Sequence, residues 1–209
     1  MIDAEFLVRD LPDPGSARRF LAQLSEKNAS VLKKLLANDA LLSDILLLVS
    51  YSPLIAATLI QHPEYLAWLD RERLNSSVRE TPELLESLAR FSLTNSQIEP
   101  HVVLSRFRRR ELIRVFLRDI RRLATIAEIT EEISNLADAI LEHSLRLARQ
   151  ELDNRFGQPL VTDEKGRSVP SEFCIISLGK LGSKELNYIM EIFVRYMQIL
   201  PFMIRKINL

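Results

Sequence analysis

Two long amphipathic stretches dominate the pattern of apolar and polar positions. From about Pro100 to Leu123, apolar residues recur close to the 3.6-residue period at Val103, Phe107, Leu112, Val115, Phe116, Ile120 and Leu123. A second stretch opens near Ala127 and carries Ile129, Ile133, Leu136, Ile140, Leu145, Ala148 and Leu152 on one side, with Gly157 placed to cap its end. Both predict long helices, and neighbouring amphipathic helices of one chain usually satisfy each other as an antiparallel hairpin. Between Ser16 and Glu99 the pattern breaks into about five shorter helices punctuated by proline. Ser52-Pro53 and Thr81-Pro82-Glu83 read as helix starts, with proline tolerated at the first helical position, and His62-Pro63 closes one helix or opens the next.

The character changes at Gly157. Gln158 to Pro170 contains Pro159, Asp163-Glu164-Lys165-Gly166 and Pro170, the composition of a loop or a two-stranded turn. Phe173-Cys174-Ile175-Ile176 then reads as a strand, Gly179-Lys180-Leu181-Gly182-Ser183 as a glycine turn, and Lys184-Glu185-Leu186-Asn187 as a helix start. Many phosphate-handling sites begin this way, because backbone N–H groups in such a turn point at an anion. Ile189 to Leu209 shows no clear helix or strand period; it holds Met190, Met197 and Met203, is interrupted by Pro201, and has Glu191 as its only acid. The expected division is a helical domain over 1–156, the start of a second domain over 157–188, and an aberrant tail over 189–209.

Composition supports a folded, mainly α protein. Of 209 residues 47% are apolar, enough to bury a sizeable core, and Gly15 is the sole glycine before Gly157, which is hard to reconcile with a turn-rich β domain. Lys plus Arg and Asp plus Glu both number 28, so no global charge favours nucleic acid or an anionic membrane. The single cysteine, Cys174, excludes an internal disulfide; within an apolar strand pattern it reads as a small buried hydrophobe, in keeping with a reducing cytoplasm. Met1-Ile2-Asp3-Ala4-Glu5 lacks the basic, then apolar, pattern of a secretion signal. Ile45 to Pro63 is free of Asp, Glu, Lys and Arg, close to a membrane span of roughly 20 residues, but the helix start at Ser52-Pro53 favours two buried helices joined by a turn.

The run Leu178 to Tyr188, LGKLGSKELNY, resembles the signature of the glutamine-synthetase adenylyltransferase/adenylyl-removing family, whose pattern reads GLGKLGGRELNYSSDIDLIF. Ser52 to Asp70, Leu104 to Ile120 and Glu128 to Ala148 are similar to the helical region ahead of that family's first nucleotidyltransferase domain, so the resemblance covers roughly Pro53 to Tyr188. It implies a mainly α fold: an N-terminal helical array with a long helical hairpin, followed by the start of an α+β, polymerase-β-like nucleotidyltransferase domain. It also implies the N-terminal, adenylyl-removing half of an enzyme that moves AMP on and off glutamine synthetase in control of nitrogen assimilation. The implied cofactors are Mg²⁺ and an ATP- or AMP-derived nucleotide. The implied partners are glutamine synthetase and the PII signalling protein, with neither nucleic acid nor membrane. On this resemblance Gly179 and Gly182 let the backbone approach a triphosphate, Ser183 donates to a phosphate oxygen, and Lys180 is either a phosphate contact or an exposed turn lysine.

After Tyr188 the family continues Ser-Ser-Asp-Ile-Asp, whereas this chain has Ile189-Met190-Glu191-Ile192-Phe193. Carboxylates at i and i+2 of a strand share a face and suit the ions that clamp a transferring phosphoryl group. Here Glu191 stands at the first position as the one candidate metal ligand, and Phe193 offers none. No catalytic residue is assigned, and weak or absent catalysis is expected. Either the reading frame shifts or the gene is truncated after Tyr188, or the C-terminus is divergent but genuine. Two function classes follow: a nucleotidyltransferase retaining its nucleotide-binding parts, or a non-catalytic helical module that binds glutamine synthetase or PII.

The remaining candidates are weaker. Arg106, Arg108, Arg109, Arg110, Arg114, Arg118, Arg121 and Arg122 crowd one predicted helix against Glu111 and Asp119. Such density suits RNA, phosphate or an acidic partner, or else a solvated face touching Glu128, Glu131, Glu132, Asp138 and Glu142 on the next helix. The arginines spread around the helix without interleaved aromatics, which favours the solvated face. His62, His101 and His143 lack metal-ligand spacing and read as structural, and Asn187 as ordering the turn.

Overall fold

The computed structural model describes residues 4–75 and 77–188; Glu191 and the rest of the 189–209 tail lie outside the described residues. In chain order the elements are α1 (Ala4–Arg9), α2 (Pro14–Leu36), α3 (Asp39–Tyr51), α4 (Pro53–Gln61), α5 (Glu64–Glu72), α6 (Thr81–Thr94), α7 (Pro100–Ile120), α8 (Ile126–Phe156), β1 (Leu160–Thr162), β2 (Ser168–Pro170) and α9 (Gly179–Gly182). The protein is mainly α, as the sequence pattern predicts.

Short polar side chains start α2, α3 and α4 by accepting their otherwise unpaired N–H groups. Asp13 accepts from the Ser16 N–H at 2.9 Å, Asn38 from Leu41 at 3.1 Å and Ser52 from Ile55 at 3.3 Å, with Pro14 and Pro53 opening α2 and α4. His62 ends α4 and Pro63 precedes α5, so the His-Pro pair does both jobs offered by the sequence. The charge-free stretch from Ile45 is divided between α3 and α4 by the turn at Ser52, and no helix of the described residues is long and apolar enough to cross a membrane. Gly157, at φ 81°, closes α8 with its N–H on the Asp153 carbonyl at 2.9 Å. Arg122 takes the same left-handed role after α7, at φ 54°, while Leu123 N–H reaches the Arg118 carbonyl at 2.8 Å.

The chain forms two compact units. The first comprises residues 4–75, 77 and 109–125. Its core packs Phe20 and Leu24 of α2, Leu42, Ile45, Leu46, Leu48 and Val49 of α3, Leu59 of α4 and Leu69 of α5, all 2% exposed or less. Full burial of each such side chain contributes about 1.5–3 kcal/mol. Ile113 and Leu117 of α7 join this core, with Phe116 and Ile120 packed against it. The second half of α7 therefore gives its apolar residues to the first unit rather than to the antiparallel hairpin with α8 that periodicity suggests. On its polar side, Asp44 collects Arg121 at 2.8 Å and Arg73 at 3.4 Å, and Arg73 also reaches Asp70 at 3.3 Å.

The second unit comprises residues 78–108 and 126–188. Here α8 pairs with α6, burying Leu84 and Leu88 of α6 and Ile129, Ile133, Leu136 and Leu141 of α8. Phe91 and Phe107 add a tilted aromatic pair at 5.7 Å. After Gly157, β1 and β2 form the antiparallel hairpin foreseen for Gln158 to Pro170, in register Leu160↔Pro170, Val161↔Val169 and Thr162↔Ser168. Asp163 organises its turn, accepting the Lys165 and Arg167 N–H groups at 2.9 and 2.8 Å and the Arg167 guanidinium at 2.9 Å. Gly166 supplies the positive φ, 74°.

Four expectations are corrected. Phe173 to Ile176 is not a strand: β1 and β2 pair with each other, and no third strand of the described residues gives this segment a ladder. In consequence Cys174 is exposed and not buried, and Phe173 and Ile176 are 54% and 76% exposed. The helix of the glycine turn begins at Gly179 rather than Lys184, whose φ of 61° ends it. Finally, Arg110, Arg114 and Arg118 are not a solvated face: they are buried within the first unit. Arg110 lies 4.5 Å over the Trp68 ring and donates to Glu111 at 2.8 Å, and Arg114 donates to the Asn75 carbonyl at 3.4 Å. Planar guanidinium groups on long apolar stems tolerate this placement once hydrogen-bonded and stacked.

Candidate functional site

The glycine turn closes for steric reasons that single out its two glycines. Gly179 sits at φ 60°, where an L side chain is strained, and a Cβ on Gly182 would lie 2.6 Å from the Ser177 carbonyl oxygen. Leu181 between them is buried and pins the turn from within. Ser183 faces its own helix: its hydroxyl donates to the Gly179 carbonyl at 3.2 Å and the Lys180 carbonyl at 3.4 Å. Lys180 is exposed. The four residues that resemblance nominates therefore share one turn, with Gly179 and Gly182 shaping it, Ser183 capping it and Lys180 exposed.

Below the turn stands a polar stretch of α8. Lys184 Nζ donates to Asn135 Oδ1 at 2.9 Å and Asp138 Oδ2 at 2.6 Å, and Leu186 N–H donates to Ser134 Oγ at 3.2 Å. Ser134 and Asn135 are buried despite being polar. Asn135 Nδ2 donates to the Arg79 carbonyl at 3.0 Å, and Glu132 accepts the Arg79 N–H at 3.3 Å, so both backbone groups of Arg79, two residues before α6, are satisfied from α8. Ser134, Asn135 and the role of Lys184 were missed by the sequence reading, which set Glu132 and Asp138 against the arginines instead. Their signal was Glu132, Ser134 and Asn135 interrupting the stripe of Ile129, Ile133 and Leu136.

An open cavity of about 480 Å³ lies beside the turn, lined by Thr81, Asp138, Glu142, Phe173, Gly182 and Lys184 among others, with Cys174 on its wall. Arg149 covers Phe173 at 5.0 Å and donates to the Ser171 carbonyl at 3.0 Å, holding the extended segment against α8. The two carboxylates of the cavity are already engaged, Asp138 by Lys184 and Glu142 by Arg146 at 2.8 Å. Among the described residues no cluster of His, Cys, Asp or Glu has the makings of a metal site. His62 bonds Glu64 at 3.1 Å and stacks on Tyr65, as a structural histidine does. Burial, reinforced by Arg146, holds His143 below the ordinary histidine pKa.

Comparison with known proteins points in one direction. A family model described as glutamate-ammonia ligase adenylyltransferase matches residues 42–197. A bifunctional glutamine synthetase adenylyltransferase/adenylyl-removing enzyme of Nitrosococcus oceani is 30% identical over 171 residues, 81% of this chain and 17% of the relative. The enzyme of that name from Mannheimia succiniciproducens is 34% identical over 164 residues, 75% of this chain and 16% of the relative. That of Cutibacterium acnes is 28% identical over 206 residues, 94% and 20%. The chain spans no more than 20% of the length of these relatives. No solved structure matches it.

Proposed function

Because the chain belongs to the glutamate-ammonia ligase adenylyltransferase family, we propose that it serves AMP transfer on glutamine synthetase by supplying a helical frame and a phosphate-facing turn, without the catalytic carboxylates. The observation that carries this reading is the glycine turn: two positions where only glycine fits, beside an exposed Lys180. Backbone uncovered by side chains admits the close approach of a phosphate. Residues 157–188 then form the opening of a nucleotidyltransferase domain that follows the helical region 1–156. The nucleotide would be ATP or an AMP-bearing product; the partners would be glutamine synthetase and PII, in the cytoplasm. Mg²⁺ would supply charge neutralisation at the transferring phosphoryl group. At the two aspartate positions of the motif this chain offers Glu191 and Phe193, one carboxylate where two are needed.

The test incubates the purified 209-residue chain with glutamine synthetase, Mg²⁺ and ATP labelled at the α-phosphate. We expect no label on glutamine synthetase, no removal of AMP from the adenylylated form, and ATP binding that weakens in Lys180→Ala. Sustained transfer or removal of AMP by this chain would overturn the reading. A second reading, a non-catalytic module held to glutamine synthetase or PII by protein contacts, draws on the exposure of Ile176 and Leu178, 76% and 82%. Co-elution with either partner in the absence of nucleotide, lost on changing both residues to serine, would favour it.

A further inference from the structure

We propose that Lys184 is a positioning residue that latches the glycine turn to α8, and that Asn135 ties the same latch to the start of α6. The consequence for phosphate binding rests on the function proposed above, whereas the latch rests on geometry alone.

Lys184 occupies a backbone region that disfavours L side chains, at φ 61°, so the surrounding contacts must hold it there. Its ammonium does so through two acceptors at once, Asn135 Oδ1 at 2.9 Å and Asp138 Oδ2 at 2.6 Å. A solvated lysine–carboxylate pair contributes little. This one differs because the second acceptor belongs to an asparagine only 3% exposed, whose amide has few alternatives for its hydrogen bonds. The same amide donates to the Arg79 carbonyl at 3.0 Å, and its oxygen also lies 3.5 Å from the Thr81 hydroxyl. One buried side chain thereby joins the glycine turn, α8 and the first residues of α6.

Residues 172–178, which lead into the turn, belong to no strand of the described chain, so no sheet ladder fixes the approach. Leu181 anchors the turn on one side, and the Leu186 N–H bond to Ser134 anchors it on the other. Lys184 lies between these pins and adds a charge-assisted contact from the turn to α8. Breaking it should release Gly179–Leu186 while the helices stay folded.

Hydrogen exchange on the isotope-labelled full chain tests this, following the Ser183, Glu185 and Leu186 amides, which donate to Gly179, Lys180 and Ser134. Lys184→Met should speed their exchange about tenfold while α3 amides and the helical melting midpoint stay unchanged. Lys184→Arg, which keeps the charge and the reach, should preserve protection. Exchange in Lys184→Met equal to the parent, or a loss of protection spread evenly over the chain, would overturn the latch. Should Lys184→Met fail to fold, Asp138→Asn provides the second variant, with a smaller rise at the same three amides expected and no rise counting against the proposal. ATP titration distinguishes the two levels of the argument. A parent chain that does not bind ATP at millimolar concentration overturns the phosphate reading and leaves exchange to decide the latch. Parent binding weakened about tenfold in Lys184→Met, with helical melting unchanged, supports the positioning role; equal binding in both overturns it.

Discussion

The first unit and the segment after Gly157 are held together by different forces. In the first unit, Phe20, Leu24, Leu42, Ile45, Leu46 and their neighbours exclude water almost completely, and capped helix ends satisfy the backbone around them. From Gly157 to Tyr188, Leu181 alone is buried. That segment keeps its place through directional polar bonds: Asp163 in its hairpin turn, Arg149 on Ser171, Lys184 on Asp138 and Asn135, and Leu186 on Ser134. Burial is non-directional and shared by many residues, so losing one contact lowers stability everywhere; a polar pin acts locally, and losing it frees only what it holds.

The contrast breaks most visibly in the core. Leu46→Ala, at a fully buried position of α3, should lower the unfolding free energy by about 2–5 kcal/mol in urea titrations followed at 222 nm. Leu178→Ala, at a position 82% exposed, should change it by less than about 0.5 kcal/mol. Equal effects would remove the distinction. Gly182→Ala is the intermediate case, because its methyl group would meet the Ser177 carbonyl at 2.6 Å. It should destabilise the turn by about 1–3 kcal/mol, read as faster proteolysis between residues 177 and 186 at an unchanged melting midpoint. The smallest effect is set by pH. The Arg167 N–H foremost, with the Arg167 guanidinium and the Lys165 N–H, holds the Asp163 carboxyl below the ordinary aspartate pKa. Its folded-state pKa is depressed, so its stabilisation is complete above the unfolded value of about 4 and is lost as pH falls through the lowered one. The Lys165 and Arg167 amides should stay protected from pH 5 to 7 and lose protection only as pH falls below the ordinary aspartate range, with α8 amides unaffected in the same spectra.

The helices were legible because their signals are local. Ser52-Pro53, His62-Pro63 and Gly157 act within one turn of the chain, and the structure uses each as its chemistry dictates. The glycine turn was legible for the same reason, since a position with φ 60° and one without room for a Cβ both need glycine. What escaped depends on partners distant in sequence. Phe173 to Ile176 has strand composition, yet a strand exists only where a neighbour supplies its ladder. The arginines of α7 look like a solvated face until Trp68 and Asn75, far away in the chain, are brought against them. Lys184 read as part of a helix start because Asn135 and Asp138 lie 49 and 46 residues earlier.

Cys174, the only thiol in the sequence, is exposed on the wall of the cavity that also holds Gly182 and Lys184. The molecule is therefore its own reporter. A maleimide dye or nitroxide added to the unaltered chain attaches at a single known place, and its emission or line shape registers whatever enters the space beside the turn.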